Sequence, residues 1–146
     1  MRSQEETGLA PFLTKYISPL VDLTIRLYMA NIFFKSGWLK FQNYMNNDWD
    51  STLFLFSEVH PVPFLSPEIA AILGTAGELG LSTLLALGLF ARFSAFGLLM
   101  MTAVIQIVMP TPQVHLIWAI MLGTIFARGA GSLSVDAILK HLLYRR

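Results

Sequence analysis

The chain has 146 residues, of which 55% are hydrophobic and 13% charged, with a net charge of +1 and a mean hydropathy of +0.61. Soluble domains carry roughly 25% charged and 45–50% apolar residues, so this composition excludes an ordinary water-soluble domain and makes lipid the expected solvent. The small net charge leaves no basic stripe for nucleic acid. The absence of cysteine excludes disulfides, thiolate metal sites, cysteine nucleophiles and Cys-ligated iron–sulfur clusters.

Met1–Lys15 carries Glu5 and Glu6 and lacks an apolar run followed by a small-residue cleavage site. No cleaved signal peptide is expected there, and the first span itself should direct insertion. That span is predicted over 17–41, with Tyr16 at its start and Trp38 near its far end, where amphipathic rings favour the headgroup layer. Residues 43–66 are first polar (Asn43, Asn46, Asn47, Asp48, Asp50) and then aromatic (Trp49, Phe54, Phe56, Phe64), with Pro61 and Pro63. The apolar run is too short to cross a bilayer, so this segment reads as an external loop with a short interfacial helix over Ser51–Val59.

Ser66-Pro67-Glu68 opens a second span over 67–88: a Ser N-cap, a Pro at the first helical position and an acid beside the positive end of the dipole all favour initiation. Ala70, Gly74 and Gly77 share one face, which permits close approach of another helix. From Phe93 to Ala127 no residue is charged, and Pro110 and Pro112 divide that stretch into spans over 93–109 and 112–128. Ala119, Gly123 and Ala127 form a second small-residue face on the last span. After the Gly129-Ala130-Gly131 break, 134–144 reads as an amphipathic helix lying on the membrane. The expectation is an all-α, polytopic, four-transmembrane-helix bundle forming a single domain over 1–146. Arg2, Lys15, Arg92, Arg128, Lys140, Arg145 and Arg146 fall on one side, whereas the loops at 43–66 and 110–113 hold no Lys or Arg, so both termini are expected in the cytoplasm.

Ionisable residues inside spans are the costly ones, from about 2.5 kcal/mol upward each. They are Arg26 and Lys35 in the first span and Glu78 in the second. Lys35 lies near the outer end, where its stem can snorkel to water. Arg26 is deeper, with Asp22 four residues earlier on the same face. An Asp22–Arg26–Glu78 cluster is therefore expected. It is either a clasp between two helices or the lining of a cavity for a polar head such as a quinone carbonyl, with Glu78 giving or taking a proton. His60 and His115, with Met45 and Met109, sit towards the outer side and suggest copper ligands. Without an HxxH or MxxM spacing, loop and packing roles are the preferred reading, and no metal is assigned. Trp38, Trp49 and Trp118 read as interface anchors.

Several pieces, taken in order, resemble the DoxX family of small bacterial membrane proteins: Arg26-Leu27 through Phe33-Phe34-Lys35-Ser36-Gly37-Trp38-Leu39-Lys40-Phe41; Gly77-Glu78-Leu79; Gly88-Leu89-Phe90-Ala91-Arg92 with Ala95; and Gly131-Ser132-Leu133-Ser134-Val135-Asp136. The resemblance implies a four-helix membrane bundle in the bacterial inner (cytoplasmic) membrane. Relatives named DoxD look like the membrane subunit of a thiosulfate:quinone oxidoreductase, and others are associated with partner proteins. Arg26, Lys40, Glu78, Arg92 and Asp136 are the polar family-like positions. The expectation is a membrane subunit that binds quinone or a similar lipid-soluble molecule within a redox or stress-response assembly, with Glu78 and Arg26 as the catalytic candidates and Asp22 and Lys40 helping to hold the ligand. The rival readings are a non-catalytic scaffold or assembly factor whose 43–66 loop docks a periplasmic partner, and a small transporter or copper-handling protein. Beyond the lipid bilayer, a protein partner or a second copy of the chain is expected.

Overall fold

A computed structural model describes residues 9–144; Glu5, Glu6, Arg2, Arg145 and Arg146 lie outside the described residues. A short helix α1 (Leu9–Phe12) runs through a π-helical turn (Leu13–Ile17) into α2 (Ser18–Met45). Pro19 has no N–H for the Lys15 carbonyl, and ahead of it the backbone widens so that the Ser18 N–H bonds the Leu13 carbonyl. The helix thus begins before the expected start at 17. It also continues past 41 into the polar segment, where Asn43 Nδ2 donates to Thr52 Oγ1 at 3.2 Å. That bond ties the end of α2 to α3 (Trp49–Phe54), which passes through a π-helical turn at Leu55–Val59 into an irregular stretch.

Helix α4 (Pro67–Leu87) starts where its signals place it, with extended Ser66 accepting from the Ile69 N–H, and ends at Gly88. Gly88 has φ +68, a left-handed conformation that glycine adopts without steric cost. Helices α5 (Ala91–Val108), α6 (Pro112–Arg128) and α7 (Val135–Tyr144) follow. Among the described residues there is no strand.

α2 packs on α4 and α5 on α6, and α4–α5 and α2–α6 contacts close the ring. Met29, Ala30 and Phe33 from α2 meet Leu85 of α4, Ala91, Ala95 and Leu98 of α5, and Leu122 and Ile125 of α6 in the core. The outward faces carry Leu20, Ile72, Phe93, Ile107 and Leu116, all exposed. Such a surface suits hydrocarbon. The helical runs Leu13–Met45, Pro67–Leu87 and Ala91–Val108 are long and apolar enough to cross a membrane, whereas α6, with 17 residues, is shorter, at about 25 Å. The protein is a multi-pass helical membrane bundle.

The small residues act differently from their expected faces. α2 and α4 approach closely at Gly37, where a Cβ would stand 2.9 Å from Glu78 Cβ and 3.0 Å from the Leu79 nitrogen. Gly74 receives the Phe56 ring and Gly77 the Met101 thioether, so those two glycines admit side chains and not a helix backbone. Gly123 has nothing within 4 Å and Ala127 is exposed, because α6 turns Leu122 and Ile125 to the core. The expected second small-residue face therefore does not close the bundle.

Candidate functional site

The family-like polar residues fall into two groups at opposite ends of α2. At one end, buried Arg26 donates from Nη1 to the Ala130 carbonyl at 2.5 Å and from Nη2 to the Leu133 carbonyl at 2.7 Å. The same segment returns over the α4–α5 turn. Asp136 accepts from the backbone N–H groups of Phe90 and Ala91 at 2.9 and 3.0 Å, while its own N–H bonds the Gly88 carbonyl. Its carboxylate supplies the N-cap that α5 lacks locally, since Phe90 at φ 49 makes no side-chain cap. Arg128 reaches back to Ser18 Oγ at 2.7 Å and to Asp22 at 3.3 Å. Gly88 fits here for two reasons: its φ, and a Cβ that would lie 2.6 Å from Arg26 Nη1. This end is a clasp made of backbone carbonyls and helix caps.

The expected Asp22–Arg26–Glu78 cluster does not form. Asp22 lies near enough for its charge to act on Arg26, but so does Asp136, and Glu78 is elsewhere. Its partner is Lys40, whose Nζ donates to Glu78 Oε2 at 2.7 Å and to Ser36 Oγ at 2.8 Å. Lys40 lies 14 residues after Arg26, about 21 Å along the helix. The antiparallel register explains the choice: with Gly88 against Arg26, a point ten residues back along α4 falls beside Gly37. Glu78 therefore meets Lys40, near the C-terminal end of α2, and not Arg26, nearer its start.

Lys40 and Glu78 side chains are 10% and 7% exposed. Breaking a pair so buried strands a charge in a low-dielectric medium, so both partners must be held. They stand on the wall of a cavity of about 390 Å³ whose remaining lining is almost wholly apolar. Ser36 and Lys40 come from α2, Leu55 and Phe56 from the π-helical turn, His60, Val62 and Leu65 from the following loop, and Ala70, Leu73, Gly74 and Glu78 from α4. From α5 and its end come Met100, Met101, Val104, Ile105, Val108 and Met109. The segment expected to be an external loop with a short interfacial helix over Ser51–Val59 thus supplies one wall. His60 Nε2 lies 2.7 Å from Met109 Sδ. His115 has different partners, with Nδ1 2.7 Å from Gln106 Oε1 and its ring against Trp118. No group of three or more His, Asp or Glu gathers among the described residues. Met45 and Lys35 are both exposed.

Sequence reasoning missed Ser36, the Phe56 wall and the paired methionines of α5. It also lacked the reason for Lys40, although a signal was present: Arg26, Phe33 and Lys40 recur every seven residues on the buried face of α2.

A family model for DoxX matches residues 21–111. The chain belongs to the DoxX family. No curated protein and no solved structure matches it. The DoxX match spans α2 to α5 and so takes in Lys40, Glu78 and every residue lining the cavity. Helix α6 and the clasp segment from Gly129 to Asp136 lie beyond the DoxX match, whereas Asp22 and Arg26 lie within it.

Proposed function

We propose that this DoxX protein is a subunit of the cytoplasmic membrane that binds quinone or a similar lipid-soluble molecule in the cavity between α2, the π-helical turn, α4 and α5, and that it serves a redox or stress-response assembly. The observation that carries the reading is the meeting of one buried acid and one buried base on the wall of an otherwise apolar cavity of about 390 Å³. Convergent polar groups in an apolar pocket are the usual form of a small-molecule site. Lys40 offers its ammonium hydrogens to a carbonyl or hydroxyl, Glu78 accepts from a hydroxyl and can exchange a proton with it, and Ser36 steadies Lys40. Arg26 and Asp22 serve this site at a distance, by holding the inner end of the bundle together. The charge asymmetry of the loops supports an orientation with both termini in the cytoplasm and the Lys40 end outward.

The test is extraction and mass spectrometry of lipids that co-purify with the protein, together with quinone reduction in the presence of cell extract. Wild type should retain a lipophile that the Lys40→Met/Glu78→Leu double variant loses, while Arg128→Ala retains it. Wild-type protein free of any bound lipophile would refute the proposal. A second reading, a scaffold docking a periplasmic protein through the 43–66 segment, is favoured by Phe64. Its ring is fully exposed on a left-handed backbone, φ 69, that a non-glycine residue rarely adopts. Phe64→Ala would then abolish partner co-purification without changing bound lipid.

A further inference from the structure

The cavity opens sideways. Five of its lining side chains, Leu65, Leu73, Met100, Val104 and Met109, are also exposed on the outer surface, by 43%, 58%, 45%, 38% and 43%. Leu73 belongs to α4 and Met100 and Val104 to α5, both long and apolar enough to cross a bilayer, so the surface they share faces acyl chains. Leu73 lies six residues into α4 and Val104 four residues before the end of α5, about 9 and 6 Å from those helix ends. Leu73 and Val104 thus lie inside the apolar helical runs, with Leu65, two residues before α4, at the upper rim.

Among the lining residues of α2 and α4, the polar groups sum to no net charge: the Lys40 ammonium is matched by the Glu78 carboxylate at 2.7 Å, and Ser36 adds a hydroxyl. A head bearing its own charge would enter hydrocarbon with no free counter-charge waiting for it. An uncharged head that accepts from an ammonium or donates to a carboxylate enters at far less cost. A volume of about 390 Å³ is near the lower end for small-molecule sites, enough for a ring-sized head and the start of a tail.

From this geometry we infer that the site takes an uncharged, single-tailed lipid that enters laterally from the bilayer, its carbonyl or hydroxyl head against Lys40, Glu78 and Ser36 and its tail left among the acyl chains through the mouth rimmed by Leu65, Leu73, Met100 and Val104. The inference rests on the reading of the cavity as a ligand site. It adds the ligand's charge state, its route and the fate of its tail. Once a tail reaches the mouth, further length meets lipid and not protein, and affinity stops responding to it.

The experiment places the full chain in phosphatidylcholine nanodiscs and measures retention of three radiolabelled probes above empty discs: tail-less benzoquinone, a decyl-tailed benzoquinone, and decanoate, which has a similar tail and a charged head. Leu73→Trp/Val104→Trp narrows the mouth, and Leu116→Trp, on the exposed face of α6, is the control. Wild type should hold the decyl-tailed quinone at least tenfold better than decanoate. The double tryptophan variant should weaken the decyl probe tenfold or more and leave tail-less benzoquinone within twofold, and the control should change neither. Decanoate binding as tightly as the quinone overturns the neutral-head requirement. A decyl probe indifferent to the mouth variant, yet lost from Lys40→Met/Glu78→Leu, overturns the lateral route while the ligand site stands. Wild type that retains none of the probes overturns the site itself and this inference with it.

Discussion

Lys40→Met, Glu78→Leu and Glu78→Gln should each destabilise the protein by about 3–5 kcal/mol, whereas the Lys40→Met/Glu78→Leu double variant should fall within about 1 kcal/mol of wild type. At a separation of 2.7 Å and an effective dielectric of about 20, the gross attraction of the pair is about 6 kcal/mol. Most of that is offset by the cost of taking both ions out of water. Removing one partner forfeits the attraction and leaves the other ion buried, while removing both abolishes the desolvation cost as well. The two single effects are therefore strongly non-additive, with a coupling of several kcal/mol. The assay is reversible unfolding in mixed micelles, completed by Arg26→Met alone and with Glu78→Gln. Because Arg26 lies about 21 Å along α2 from Lys40, its effect should add to that of Glu78→Gln within about 0.5 kcal/mol. A double variant as unstable as the sum of its singles, or a coupling of Glu78 to Arg26 in place of Lys40, would refute the reasoning.

Gly37→Ala should cost about 1–3 kcal/mol, since its Cβ would press on Glu78 Cβ and the backbone of Leu79, while Gly123→Ala, with open space around it, should be neutral or stabilising by up to about 1 kcal/mol; thermal unfolding in detergent distinguishes the two. Asp136→Ala removes the cap from Phe90 and Ala91 and should cost about 1–2 kcal/mol, seen as faster hydrogen exchange at the start of α5 with the cavity end unchanged. Arg26→Lys has no planar fork to reach both Ala130 and Leu133, so limited trypsin digestion should cleave after Arg128 sooner than in wild type.

Much of the architecture was legible because lipid imposes simple rules. The long charge-free stretch, its division by Pro110 and Pro112, the Ser66-Pro67 start and the Gly88 stop each act within a few residues, and the helices follow them. One boundary moved for a tertiary reason: α2 runs on to Met45, where Asn43 bonds Thr52 of a segment packed against it. The candidate site was only partly legible. Glu78 stands out in any reading as a mid-span acid, but two bases, Arg26 and Lys40, lie on the same face of α2. Local spacing joins Asp22 to Arg26 and is silent on which base an acid of another helix will meet.

Composition and periodicity settled the solvent, the helices and the residues too costly to leave without a reason for being buried. These depend on each residue's own transfer energy and on neighbours a turn away. The pairing of Glu78 with Lys40, the fold-back of Asp136 onto α5 and the cavity walled by Phe56 and Met101 were decided by packing alone. Each is a relation between chain positions tens of residues apart that no local pattern encodes, and the Glu78–Lys40 pairing follows the register of α4 against α2 at Gly37.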